Sequence, residues 1–300
     1  MESGVNYFDL AVSEAVAFDY YRTAFAGNRD KVCLQMHFGA DYSSGKYGWT
    51  TKKDQIVSGM DWLLKKLNTD YIDFGFIHCI DEPSDLKKYL EGGALEHIQE
   101  LKKQGVVRHI GLSSHTPAIV NQMLDTGLLD VVMFSINPAF DMLPASENID
   151  TLFADSYDAS LRGIDADRAL FYRTCEQNDV GITVMKGFAG GRLFDEKRSP
   201  FGVRLTPVQC IHYALTRPAV ASIMAGFGEP SHVADACAYE TADDAAKDYA
   251  SVLAGAPRHA YFGQCTYCGH CAPCTAGIDI AAVNKFYDLA VMQSEVPASI

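Results

Sequence analysis

Short apolar segments that are rich in β-branched residues recur along the chain and alternate with segments of helical spacing. Between two of them, for example, Ile56, Met60, Leu63 and Leu67 repeat at intervals of three and four residues, which places them on one face of a helix. Alternation of strands and helices favours a parallel sheet joined by right-handed helical crossovers. Seven segments are predicted as strands, and they lie at residues 5–10, 32–38, 71–79, 109–113, 131–137, 181–186 and 220–226.

The number of predicted strands indicates a barrel that is one unit short. A (β/α)₈ TIM-type barrel needs eight strands and about 250 residues, and this chain of 300 residues opens directly on its first strand. The sequence therefore predicts an α/β barrel of seven strands that lacks its first βα unit. A doubly wound open sheet is the main alternative, but no G-x-G-x-x-G motif follows an early strand.

A missing unit would leave the first and last strands with unpaired edges, which favour pairing with another chain or aggregation. We expect that the natural chain begins upstream of Met1, because strand pairing across a barrel is hard to replace. The alternative is that the gap is covered by a second copy of the chain or by the helix predicted near residues 281–290.

Net charge and hydropathy disfavour several classes of partner. The chain carries 38 acidic and 25 basic side chains and a net charge of −13, which argues against binding to nucleic acid or to an anionic membrane. No run approaches the roughly 18 apolar residues of a membrane span. The N-terminus lacks the basic start and the apolar run of a signal peptide, so we expect a cytoplasmic protein.

A tight cysteine run lies near the C-terminus and consists of Cys265, Cys268, Cys271 and Cys274. Three successive C-x-x-C steps bring four thiols into one short loop, which is a ligand set suited to a [4Fe–4S] cluster. A structural zinc site usually separates two C-x-x-C pairs by a longer insert, and a redox-active dithiol needs only one pair. Both stay as alternatives, and Cys237 is a less favoured cluster ligand.

Composition changes from about residue 241, where an Ala/Asp-rich stretch leads into the cysteine run. We therefore predict a barrel domain over residues 1–255 and a cluster-binding segment over residues 256–300.

Polar side chains stand at the carboxyl ends of the predicted strands, where a barrel of this type places its catalytic groups. A carboxylate that ends an apolar strand needs a partner. A single buried histidine is more often a satisfied core residue, but two at matching strand ends favour a functional role. A lysine at a strand end can anchor a phosphate, pair with that carboxylate or reach solvent. The residues in these positions are Asp9, His37, His78, Ser113, Ser114, His115, Asn137 and Lys186.

Several of these segments together resemble a known family. They are GVNYFD at 4–9, TDYIDFGFIH at 69–78, HIGLSS at 109–114, GITVMK at 181–186, and the cysteine run followed by GIDI at 277–280. In this order and spacing they are similar to the aldo-keto reductases, and more closely to the branch with a C-terminal 4Fe–4S segment. The resemblance implies a (β/α)₈ barrel and hydride transfer between NAD(P)H and the carbonyl group of a small-molecule substrate.

The family's usual machinery is an Asp, a Tyr that acts as the acid, a Lys that lowers the pKa of this Tyr, and a His that orients the carbonyl. By the resemblance, Asp9 and His78 match the Asp and the His, whereas Glu14 and His37 occupy the positions of the Tyr and the Lys. The catalytic candidates are therefore Asp9, His37 and His78, and we expect weak reduction of ordinary aldehydes. Either of two tyrosines, at positions 20 and 21, could replace the acid only in a rebuilt loop.

The positions that match the family's cofactor site are also partly changed. Ser113 and Ser114 match a Ser-Asn pair that holds the nicotinamide carboxamide, and Met133 stands where Gln is common. Gly226 resembles the phosphate-binding turn before a helix, but the residues that follow it, 227–229, include no basic residue. The predicted cofactor-binding residues are Ser113, Ser114, Asn137, Lys186 and Gly226.

Three functions fit these observations. The first is an oxidoreductase of the aldo-keto reductase type that carries a 4Fe–4S cluster. The second is a non-catalytic binding or redox-sensing protein with a structural cluster, and the third is an electron-transfer module with a protein partner. We favour the first, although a shared fold alone does not establish an activity.

Overall fold

The computed structural model describes residues 2–145, 149–154, 157–261, 265, 267–269 and 271–293, with the backbone alone for 149, 150, 285, 288, 289 and 291–293. The strands are β1 (Tyr7–Asp9), β2 (Cys33–Phe38), β3 (Ala40–Asp41), β4 (Gly48–Trp49), β5 (Ile72–Ile77), β6 (Val107–Ser113), β7 (Val131–Ser135), β8 (Gly181–Met185) and β9 (Val220–Ile223). The helices are α1 (Ala17–Phe25), α2 (Lys53–Leu67), α3 (Pro83–Glu91), α4 (Ala94–Lys103), α5 (Pro117–Leu124), α6 (Ile149–Leu152), α7 (Ala166–Gln177), α8 (Pro207–Leu215), α9 (Pro230–Cys237), α10 (Asp244–Lys247), α11 (Tyr249–Ala254) and α12 (Ile280–Gln293).

The chain divides into two compact units, Met1–Phe134 and Ser135–Ile300, which we call unit 1 and unit 2. The boundary predicted near Ala256 lies within unit 2, and the separate cluster-binding segment stays a prediction.

Unit 1 contains a parallel sheet in which neighbouring strands follow one another in the order β1, β2, β5, β6 and β7. Asp9 of β1 lies beside Gln35 of β2, and His37 of β2 lies beside Phe76 of β5. In unit 2, strands β8 and β9 are also parallel, with Ile182 beside Val220. The predicted α/β class and all seven strands are thus confirmed among the described residues, whereas closure into a barrel stays a prediction.

Five predicted strands end earlier than expected, at Asp9, Ile77, Ser135, Met185 and Ile223, and near two of these ends the backbone turns into the left-handed region. Cys79 has φ = 54° and Lys186 has φ = 58°, so both residues leave the extended ladder and start the loops that follow. The hairpin formed by β3 and β4 is antiparallel and was not predicted. Its strands have two residues each, which is too short for a pattern of alternating hydrophobicity.

Some helix ends follow local sequence signals. Thr206 caps α8 through a capping box with Gln209. Thr116 precedes Pro117 at the start of α5, but its side chain does not cap the helix. No helix among the described residues is long and apolar enough to cross a membrane.

A buried carboxylate anchors the amino-terminal side of the sheet in unit 1. Asp73 is 4% exposed and accepts hydrogen bonds from Arg29 (2.8 Å), from Arg108 (2.7 Å) and from the backbone N–H of Leu34 (2.9 Å). Because the three donors come from different segments, this one side chain fixes β2 and β6 against β5.

The core of unit 2 contains a second buried carboxylate, Asp141, in the long segment that follows β7. It accepts hydrogen bonds from the hydroxyls of Tyr172 (2.6 Å) and Tyr213 (2.8 Å), and Nη1 of Arg168 lies 3.7 Å away. Burial raises the pKa of Asp141 against the opposing charge of Arg168. The start of this segment is therefore packed into the core.

Replacement of Arg168 by alanine is expected to lower the free energy of unfolding by about 3–5 kcal/mol, because Asp141 would lose its nearest buried cation. Arg168 also donates to the carbonyls of Leu143 and Ser135, so these acceptors lose a partner as well. Urea titrations measure the change. Arg22→Ala, at an exposed position on α1, is the control and should stay within about 0.5 kcal/mol of the parent; equal losses in both variants would contradict the prediction.

Candidate active site

The three predicted catalytic residues of unit 1 lie in one hydrogen-bonded series. Oδ1 of Asp9, at the end of β1, is 2.8 Å from Nε2 of His37. Nδ1 of His37 is 2.9 Å from Nδ1 of His78, which follows β5. The series continues beyond the predicted residues, because Nε2 of His78 is 2.8 Å from the hydroxyl of Tyr47. We call these four residues the relay.

Burial and neighbouring charges set the protonation of two relay members. Burial, reinforced by the charge of His37, lowers the pKa of His78 to about 3, so its ring is neutral at physiological pH. Burial alone would raise the pKa of Asp9, but the charge and hydrogen bond of His37 and the N–H of Ala11 lower it further, and the carboxyl stays ionised.

The ionised state of Asp9 determines the direction of the first hydrogen bond, and the number of protons on His37 determines the direction of the other two. An ionised carboxylate only accepts, so Nε2–H of His37 donates to Asp9. When His37 carries this one proton, its Nδ1 accepts from Nδ1–H of His78, and Nε2 of His78 then accepts from the Tyr47 hydroxyl. When His37 carries two protons, the two later bonds reverse, and His78 donates to the Tyr47 oxygen.

Tyr47 is the member of the relay that the sequence did not reveal. It lies on the turn between β3 and β4, and its N–H donates to the carbonyl of Ser13 (2.9 Å). The adjacent Lys46 forms a β-bridge with Glu14, so the turn packs directly on the segment where the family places its tyrosine. Nε1 of Trp49 donates to the backbone carbonyl of His78 (3.1 Å), which fastens β4 to the same histidine.

The two tyrosines considered as replacements lie elsewhere. Both are on α1, where Tyr20 is 71% exposed and Tyr21 stacks on Phe25 with 5.6 Å between ring centroids. The only local signal for Tyr47 is the turn sequence Ser43-Ser-Gly45 before it, which indicates a hairpin but not its partner.

Ser113 is the last residue of β6 and Ser114 follows it, and both are buried. The Ser114 hydroxyl donates to Oδ1 of Asp81 (3.0 Å), and Nδ1 of His115 lies 2.9 Å from Oδ2 of the same carboxylate. Burial raises the pKa of Asp81, but the hydrogen bonds and charge of His115 lower it further, below its usual value. Cys79 Sγ, Asp81 and His115 lie within 4.8 Å of one another, and Asp81 fastens the loop after β6.

In unit 2, the structure brings Asn137 and Lys186 together. Nδ2 of Asn137 donates to the carbonyl of Lys186 (2.9 Å), and its Oδ1 accepts from the N–H groups of Ala139 and Phe140. Lys186 Nζ is 3.3 Å from the hydroxyl of Ser135. The amide of Asn137 thus holds the backbone of the turn that presents Lys186.

Gly226 lies between β9 and α9, where the sequence predicts a strand followed by a helix start. A Cβ atom added at Gly226 would meet nothing within 4 Å, so the backbone there is open. In this turn the N–H of Gly228 already donates to Nδ1 of His232 (3.1 Å). An anion at the start of α9 would therefore be bound by the other backbone N–H groups.

The cysteine run lies on non-helical backbone, with Cys265 and Cys271 exposed and Cys268 and Cys274 half-exposed. Tyr267, between the first two cysteines, accepts a hydrogen bond from Arg173 of α7. Hydrogen bonds from the N–H groups of Ile278, Ala276 and Gly277 lower the pKa of Cys274, with the first of these the largest cause. Backbone donors of this kind favour the thiolate form, which is the form that binds metals.

The stability of the protein is expected to fall as the pH drops from about 6.5 toward 3 because of His78. The folded state holds this ring neutral, whereas the unfolded chain binds a proton in this range, so acid favours unfolding. Urea titrations at several pH values measure the effect. His78→Gln should flatten the dependence between pH 6.5 and 5, and His97→Gln, on α4, should leave it unchanged; a parent-like slope in the His78 variant would contradict the assignment.

Comparisons with known proteins identify relatives of the chain. The uncharacterized oxidoreductase YqkF of Bacillus subtilis is 26% identical over 243 residues, which are 75% of this chain and 74% of the relative. Two solved structures share the fold. The holo form of aldo-keto reductase AKR11C1 from Bacillus halodurans has a TM-score of 0.60 at 20% identity and covers 81% of this chain and 79% of its own. An aldo-keto reductase from Klebsiella pneumoniae in complex with NADPH has a TM-score of 0.53 at 16% identity, over 80% of this chain and 76% of its own.

Residues 1–206 match the model of the aldo/keto reductase family. Because this match covers more than half of the chain, and because the curated relative is an oxidoreductase, the chain belongs to the aldo/keto reductase family and is an oxidoreductase enzyme.

Proposed function

We propose that the enzyme reduces a small carbonyl compound with a hydride from NAD(P)H, and that Tyr47 delivers the accompanying proton. The observation that carries this proposal is the unbroken series of hydrogen bonds from Asp9 through His37 and His78 to Tyr47. Tyr47 is 44% exposed, so the outer end of the relay is open to a substrate. A carbonyl that accepts hydride becomes an alkoxide, and an acid at hydrogen-bond distance then protonates it.

The relay loads and releases one proton in each reduction. With His37 doubly protonated, its Nδ1–H donates to His78, and Nε2–H of His78 donates to Tyr47, whose own O–H is then directed at the substrate oxygen. When Tyr47 gives up this proton, it takes the one on His78, and His78 takes the one on Nδ1 of His37. Solvent returns one proton to the relay, and alcohol oxidation runs through the same steps in reverse.

This arrangement replaces the tyrosine and lysine expected at positions 14 and 37. Burial, with a smaller contribution from Cys79, raises the pKa of Tyr47, so the phenol keeps its proton at neutral pH. The positive charge that a lysine would supply comes instead from His37 when it carries two protons, and Oδ1 of Asp9 lies 2.8 Å from its Nε2.

The nicotinamide cofactor supplies the hydride when it is bound, and the residues proposed to hold it are Ser113, Ser114, Asn137, Lys186 and Gly226. The open backbone at Gly226 and the helix that begins at Pro230 fit an anionic phosphate group. The NADPH complex of the Klebsiella pneumoniae reductase supports a cofactor of this class.

Titration of anaerobic protein with NADH and NADPH, followed by fluorescence, tests binding. Its absence would favour the binding or sensing function, and reduction of a cluster only by a protein donor would favour electron transfer.

Tyr47→Phe is expected to lower kcat for any carbonyl substrate found in a panel of small aldehydes and ketones by about 10²–10⁴-fold, as for loss of a positioned acid. Cofactor binding should be unchanged. Tyr20→Phe removes an exposed hydroxyl on α1 and is the matched control. Activity equal to that of the parent in Tyr47→Phe would overturn the assignment.

A second measurement does not depend on turnover. The ¹⁵N shifts of the His78 ring should report a neutral imidazole, and the Nε2 resonance should move in Tyr47→Phe because the hydrogen bond is lost. An unchanged resonance would contradict the relay.

We also propose that Cys265, Cys268, Cys271 and Cys274 bind one [4Fe–4S] cluster, as in the branch of the family that the sequence resembles. Four thiols within ten residues, and the backbone N–H groups around Cys274, fit this group. When bound, the cluster would supply one-electron transfer, or it would stabilise this segment by cross-linking its four cysteines.

Anaerobically prepared protein is expected to be brown and to contain about four iron and four sulfide ions per chain. Cys268→Ser should bleach the colour and reduce both contents, whereas Cys33→Ser, in strand β2, is the control and should not. Iron and sulfide analysis with the visible spectrum measures the outcome, and stoichiometric zinc without sulfide would exclude the cluster.

A further inference from the structure

A cavity of about 340 Å³ in unit 2 is lined by residues from three segments, 157–162, 192–200 and 257–259. Arg258 is held against the second segment, since its N–H donates to the carbonyl of Phe201 (3.2 Å). Nδ1 of His259 is 3.2 Å from the carbonyl of Leu161, which joins the first and third segments. The cavity therefore has walls fixed by backbone contacts.

Positive charge is concentrated in this cavity, although the chain carries a net charge of −13. No carboxylate lines it, and none of its arginines or its lysine forms an ion pair within the described parts of the chain. The nearby Asp195 is used by its own loop, where it accepts from the N–H groups of Lys197 and Arg198. The cationic residues that line the cavity are Arg162, Arg192, Lys197, Arg198 and Arg258.

Arg192 forms part of the floor and is 8% exposed. Its Nε donates to the carbonyl of Arg198 (2.7 Å), and its guanidinium lies 5.3 Å from the ring centroid of Tyr157. Its Nη1 is buried and has no hydrogen-bond partner among the described residues. A guanidinium stays charged in a protein, and a buried donor without an acceptor is costly, so this atom is available to an acceptor group of a ligand.

We propose that this cavity is a binding site for a phosphate-bearing small molecule. Its volume is that of a small-ligand site. One of its cationic side chains, Arg192, is buried, and the other four are exposed: Arg162, Lys197, Arg198 and Arg258. Their combined positive charge exceeds the charge that a single carboxylate of a ligand would balance. Planar guanidinium groups bind phosphate oxygens in pairs of parallel hydrogen bonds. The phosphate belongs to a compound other than the nicotinamide cofactor, whose phosphate group is proposed above to lie at the start of α9.

Calorimetric titration with inorganic phosphate and with pyrophosphate tests the site in the full chain. Both should bind, pyrophosphate more tightly, and Arg198→Ser and Arg258→Ser should each raise the Kd for pyrophosphate about tenfold, as expected for loss of one charge-assisted hydrogen bond. Arg204→Ser, an exposed arginine just beyond the second segment, is the matched control and should leave the Kd unchanged. No binding at millimolar concentration, or equal weakening in the control, would overturn the proposal.

Competition with NADPH tests whether the cavity is separate from the cofactor site. If pyrophosphate and NADPH bind at once, the cavity binds a separate phosphorylated compound; if they exclude one another, the cavity is part of the cofactor site and the proposal is overturned. The measurement does not depend on Tyr47, so the Tyr47→Phe experiment and this one can fail independently.

Discussion

The parallel register of β1, β2 and β5 is the constraint on which the candidate site depends. Asp9 lies beside Gln35, and His37 lies beside Phe76, so Asp9, His37 and His78 reach the same edge of the sheet. Side chains alternate between the faces of a strand, and a shift of one residue in β2 would turn His37 away from Asp9. Asp73 holds this register at the opposite end by joining three segments.

Burial raises the pKa of both main carboxylates, but their net pKa shifts have opposite directions because their partners differ. Asp9 bonds directly to a histidine that can carry charge, and its pKa lies below the usual value. Asp141 accepts hydrogen bonds from two neutral tyrosine hydroxyls, and Nη1 of Arg168 lies 3.7 Å away. Burial raises the pKa of this carboxyl. The first carboxylate can therefore support proton transfer at neutral pH, whereas the second organises the core of unit 2.

In the function that we propose, the role of the family's tyrosine moves to another segment of the chain. The family position for tyrosine holds Glu14, but the hairpin that bridges this segment places the hydroxyl of Tyr47 2.8 Å from Nε2 of His78. Whether a hydroxyl group can donate a proton to a substrate depends on its position and environment in the folded protein. A motif search at position 14 alone would thus miss the donor that we propose.

The sequence by itself determined the α/β class, the seven parallel strands, the family, and the strand-end residues Asp9, His37 and His78, because these follow from local periodicity and from residues at fixed spacing. It did not reveal the hairpin with Tyr47, whose two-residue strands carry no periodic signal. It also did not reveal the cationic cavity, whose residues come from segments up to about one hundred positions apart. The tertiary structure decided both features, because hydrogen bonds and charge depend on distances in space that residues far apart in the chain acquire only when the backbone folds.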